Sequence, residues 1–145
     1  MNQLELHKKI EELFRGDVKS ADVVFAKSLL VNHDAKNFFF DQASIDWLDW
    51  LWGNGFIDGI KKKSDDPNRY YYLPELEYLV RMAEKNPRKV AEIISDKTVA
   101  TTEENFNPGV INRFLWIIGL LPAEQIKVIT PKIKIALLFK NTIIN

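Results

Sequence analysis

Cysteine is absent from this 145-residue chain. Its absence excludes disulfides, thiolate zinc sites, iron–sulfur clusters and thiol nucleophiles, and it fits a cytoplasmic location. Histidine is scarce. The 2 copies, His7 and His33, lack the partners of the metal-binding His-Glu-x-x-His pattern. His7 sits among lysines on what reads as an exposed helix face and His33 in a polar turn, so both are expected at the surface. An excess of one charge is lacking too, because 20 basic and 20 acidic residues cancel. A dedicated nucleic-acid binder usually carries a basic excess, although a local basic patch stays open. No apolar run approaches the roughly 20 residues of a membrane span. Residues 1–9 are too polar for a secretory signal. Neither a Gly-x-x-x-x-Gly-Lys-Ser/Thr phosphate loop nor a Gly-x-Ser-x-Gly nucleophile elbow occurs. The expectation from these absences is a soluble, cytoplasmic, non-catalytic protein with no cofactor, metal or membrane partner.

What the chain does have is apolar material spaced for helices. A hydrophobic fraction of 46% and a charged fraction of 28% are ordinary for a globular protein, and the length suits a single domain over 1–145. Leu6, Ile10, Leu13 and Phe14 fall on one face of a 3.6-residue period, and Gly16 offers a left-handed stop. Ser20 is placed to cap a second helix carrying Val24, Phe25 and Leu29. Asn32-His33-Asp34 reads as a break, and Phe38-Phe39-Phe40 must be buried or lie at an interface. Ser44 caps a further helix, with Asp46 in its first turn where the helix dipole favours a negative charge. Ile45, Leu48, Leu51 and Trp52 share a face of that helix, with Trp47 and Trp50 off the stripe. Apart from Asp46 and Asp49 the helix is apolar all round and calls for contact from more than one side. Gly53-Asn54-Gly55 ends it. Residues 56–73 show no helical pattern and form either a long loop or a small β-hairpin around the turn-forming Asp66-Pro67-Asn68.

Prolines then set a repeating grammar. Pro74 suits the first turn of a helix with Leu76, Leu79, Val80 and Ala83. Asn86-Pro87 stops it and starts another, with Val90, Ile93 and Ile94 inward. Residues 95–107 read as a polar loop. Pro108 opens a helix with Val110, Phe114, Ile117, Ile118 and Leu121, and Pro122 closes it and starts the next, with Ile126 and Ile129. Pro131 interrupts that helix, and Ile133 to Phe139 read as a last helical turn or two. The offset of about 34–35 residues lies in the range of two-helix repeats, whose apolar faces are buried by stacking on neighbours. The fold class expected is therefore all-α, built of stacked antiparallel helical hairpins. A generic helical bundle is the alternative. The apolar end, from Ile133 through Ile144, has two readings: core packing, or the junction to further domains of a longer protein.

Phe38-Phe39-Phe40, Asp46-Trp47-Leu48-Asp49-Trp50-Leu51, Gly55-Phe56, Pro74-Glu75-Leu76-Glu77-Tyr78-Leu79 and Val90-Ala91-Glu92-Ile93-Ile94 together resemble the N-terminal helical region of large bacterial proteins with HEAT-like, α-solenoid-like repeats. The resemblance covers roughly residues 38–130 and rests on core positions. It implies a fold and a place ahead of other domains, and it carries over no catalytic residue.

Two classes of function follow. The first is a protein-interaction or scaffold module whose partner is another protein or a downstream domain of the same polypeptide, with Trp47 and Trp50 as contact candidates. Trp52 and Trp116, by contrast, are expected in the core. The second is a winged-helix-like nucleic-acid binder. In that layout a basic tip of Lys61, Lys62, Lys63 and Arg69, with Tyr70 for stacking, would meet phosphates and bases. The helix opening at Ser44 opposes this second reading, since it carries two aspartates and no Lys or Arg. Asp46 and Asp49 share a face and are expected on its solvent side.

Overall fold

Asparagine and aspartate side chains start most of the helices. The structure is a computed structural model that describes residues 2–57, 73–102 and 108–127; the regular structure among the described residues is helical throughout, with no strand. The described residues are all-α. The chain divides into two compact units, Met1–Ile57 and Asp58–Asn145.

In the first unit, α1 spans Gln3–Arg15. The Asn2 carboxamide oxygen accepts from the Glu5 N–H at 2.8 Å, satisfying one of the donors a helix start leaves open and contributing about 1 kcal/mol. Leu6 and Ile10 are buried as their spacing predicts. Gly16 ends the helix, but in extended backbone (φ −79°, ψ −179°) and not in the left-handed form expected of it. The chain passes straight into a 3-10 turn, Val18–Ser20, which is capped by Asp17 accepting from the Lys19 N–H. Ser20 is the last residue of that turn and does not cap the next helix. Asp22 does so, accepting from the Phe25 N–H at 3.1 Å at the start of α2, Val23–Ser28. A carboxylate is favoured there by the positive end of the helix dipole. Of the apolar residues around α2, Ala26 and Leu29 are buried, while Val24 and Phe25 are exposed.

Asn32-His33-Asp34 is both a break and a beginning. The Asn32 side chain accepts from the Ala35 N–H at 2.8 Å and opens α3, His33–Gln42. This helix packs on α1, and it carries Phe39 and Phe40 into the core. Ser44 stands at the next helix start without a side-chain capping bond. That segment begins as a 3-10 turn, Ile45–Trp47, and continues as α4, Leu48–Gly53. Leu48 and Leu51 are buried, and Asp46 and Asp49 face solvent as expected. After α4, Gly55 takes a left-handed conformation (φ 80°). Its N–H donates to the Trp52 carbonyl at 3.3 Å, and the Phe56 N–H donates to the Leu51 carbonyl at 3.0 Å. This paired closure satisfies carbonyls at the helix end and needs a residue without a Cβ penalty at Gly55. The turn delivers Phe56 and Ile57 into the core, 5% and 0% exposed.

Aromatic rings fill the centre of this unit. Phe14 meets Phe39 and Trp47 edge-on with centroids 4.8 and 4.9 Å away, and Phe39 lies over Phe56 at 5.6 Å. Trp50 stacks on Phe56 at 4.8 Å and meets Trp47 at 5.1 Å and 90°. Offset and edge-on arrangements suit the ring quadrupoles and add about 0.5–1.5 kcal/mol per pair beyond area burial. Aromatic contacts thus join α1, α3, the 3-10 turn, α4 and the turn after it.

The second unit follows the proline grammar closely where it is described. Pro74 is the first residue of α5, Pro74–Met82. The Asn86 carboxamide oxygen accepts from the Lys89 N–H at 3.2 Å and opens α6, Pro87–Thr102. Helix α7 covers Pro108–Leu120. The Pro122 carbonyl then accepts from the N–H groups of Gln125 and Ile126, starting helical turns over 123–127. The expected loop over 95–107 is overturned in its first part, because α6 runs through Thr102. Residues 95–102 contain no Gly or Pro, and a helix already nucleated propagates through polar residues. Helices α5, α6 and α7 pack on one another pairwise. Leu76, Tyr78, Leu79 and Met82 of α5, Val90, Ile93 and Ile94 of α6, and Ile117 and Ile118 of α7 are buried, as is Leu121. Residues 58–72, which include most of the expected loop or β-hairpin, and 128–145, which carry the apolar end, lie outside the described residues.

Candidate functional site

Helix α7 presents apolar residues on more than one face. Ile117, Ile118 and Leu121 are buried, and Trp116 precedes Ile117 by one residue, a rotation of about 100° that turns it to another face. Trp116 is 60% exposed and Leu120, four residues on, 38%. Gly119 and Ala123 are exposed beside them, and nothing stands within 4 Å of where a Gly119 Cβ would be. The outer face is therefore a bulky indole, a notch and a leucine, bordered by Arg113 on one side and Glu124 on the other. The expectation that Trp116 belongs to the core is overturned. A signal for this was present in the sequence: Leu115, Trp116, Ile117 and Ile118 followed by Leu120 and Leu121 make a helix apolar nearly all round, which needs covering from more than one side.

Trp116 is positioned from beneath. The Arg113 guanidinium lies 5.8 Å from its ring centroid, within cation–π range. The same guanidinium donates to a carboxylate oxygen of Glu77 on α5. Both partners of that ion pair are mostly buried, 25% and 19% exposed, so the bond is shielded from water and ties α7 to α5 while orienting the indole. A tryptophan exposed to this degree offers about 150 Å² of surface. Covering it is worth about 3–4 kcal/mol at ~25 cal/mol per Å², the scale of a dominant residue in a protein interface.

The predicted contact residues fall elsewhere. Trp47 is 3% exposed and is spent on Phe14 and Trp50. Trp50 is half-buried and stacks on Phe56. The structure brings these two indoles together through packing on each other. Lys61, Lys62, Lys63, Arg69 and Tyr70 lie outside the described residues. Trp52, expected in the core, is half-buried.

His7 departs from its expected exposed position. It is 26% exposed at its side chain, with Nε2 3.1 Å from Asp34 Oδ2. Its ring lies flat on Phe38 with centroids 3.9 Å apart and planes 4° from parallel. Gln3 donates to the same Asp34 carboxylate. The cluster joins α1 to α3, and periodicity could not show it because the pair is 27 residues apart in sequence. An imidazole oriented by a carboxylate is one part of many catalytic arrangements. Here its ring face is covered by Phe38, and the geometry is that of a clasp between helices. Among the described residues no group of three or more His, Cys, Asp or Glu could hold a metal ion, and no helix is long and apolar enough to cross a membrane.

Compared with models of protein families, with curated proteins and with solved structures, the chain matches none.

Proposed function

We propose that this protein is a non-catalytic, cytoplasmic interaction module in which α7 offers its outer face to another protein chain. The observation that carries the reading is the exposed Trp116, held by Arg113 and Glu77 and flanked by Leu120 and the Gly119 notch. Exposed apolar residues scattered singly are ordinary, but tryptophan is among the residues in which the binding energy of protein interfaces concentrates. The proline-started hairpins of the second unit support a stacked-repeat architecture, in which each helical pair presents an apolar face to its neighbour. Met82 of α5 is buried at 3% exposure, whereas Trp116, at the corresponding position of α7, is open.

The test uses the full chain as bait in extracts of its source cells, beside a Trp116→Ala/Leu120→Ala variant and an Asp46→Ala surface control. The expected result is a set of proteins retained by the parent and the control and lost from the double variant, with helical circular dichroism unchanged in all three. Identical sets from parent and double variant would refute an interface on α7.

A further inference from the structure

We draw no further inference here: the strongest candidate, the open apolar face of α7 around Trp116, Gly119 and Leu120, belongs to the site already described, and nothing in the structure shows which occupant covers it.

Discussion

Replacing Phe39 with alanine tests the account of the first unit most severely. The side chain is 0% exposed and meets Phe14, Phe40 and Phe56 ring to ring. Truncation removes those contacts together and leaves a void that close-packed neighbours fill only in part, a loss of about 3–5 kcal/mol. The unit runs Met1–Ile57, and at about 0.05–0.15 kcal/mol per residue a chain of that length has only about 3–9 kcal/mol in total. Phe39→Ala should therefore remove about a third or more of this unit's stability and, toward the lower end of that range, unfold it at room temperature. The assay is urea denaturation followed by tryptophan emission in a Trp116→Phe background, where the remaining indoles, Trp47, Trp50 and Trp52, all lie in the first unit. Phe38→Ala is the matched control, since Phe38 is half-buried and stacks on His7; it should cost less than half as much. A loss under ~1 kcal/mol for Phe39→Ala, well below what a buried-core truncation delivers, would refute the claim that the ring network is the core of this unit.

Other perturbations read the local chemistry. Gly55→Ala forces a Cβ into left-handed backbone and should lower stability by about 1 kcal/mol or more, whereas Gly53→Ala, at the end of α4 with nothing within 4 Å of the added Cβ, should cost clearly less; equal losses in matched urea titrations would argue against the positive φ. Asp22→Ala should remove about 1 kcal/mol and Ser20→Ala almost nothing, and the reverse order would return the cap of α2 to Ser20. Arg113→Ala should cost about 1–3 kcal/mol by stripping a shielded carboxylate of its charged donor. A double-mutant cycle with Glu77→Gln isolates the pair, and simple additivity would show that the two side chains do not couple.

The helices of the second unit were legible because their signals are local. Proline at the first helical position and a 3.6-residue apolar period act within a few residues, so the starts of α5, α6 and α7 could be read directly. Misreadings came from local competition between similar signals. Ser20 and Asp22 are both capping residues, and the turn begun by Asp17 places the helix start after the second. Residues 95–102 look like a loop by polarity, yet contain nothing that stops a helix. The candidate surface was less legible because exposure depends on tertiary packing. Trp47 and Trp116 both sit in apolar helical sequence. Phe14 on α1 comes round to cover the first, whereas the buried face of α7 is taken by Ile117 and Ile118, which leaves the second outside. His7 and Asp34 could not be paired at all without knowing that α1 lies along α3.

The turn at Gly55 also has a mechanical consequence. The chain leaves the first unit from Phe56 and Ile57, both buried, with Phe56 stacked against Phe39 and Trp50. A pull on the chain beyond Ile57 would first load this stack of rings and the two hydrogen bonds that close α4. The rings would have to slide past one another before the helix could unwind from its end. Tension is thus resisted at the unit's exit by an anchor of side chains, and fraying from that side is opposed where a helix is ordinarily weakest.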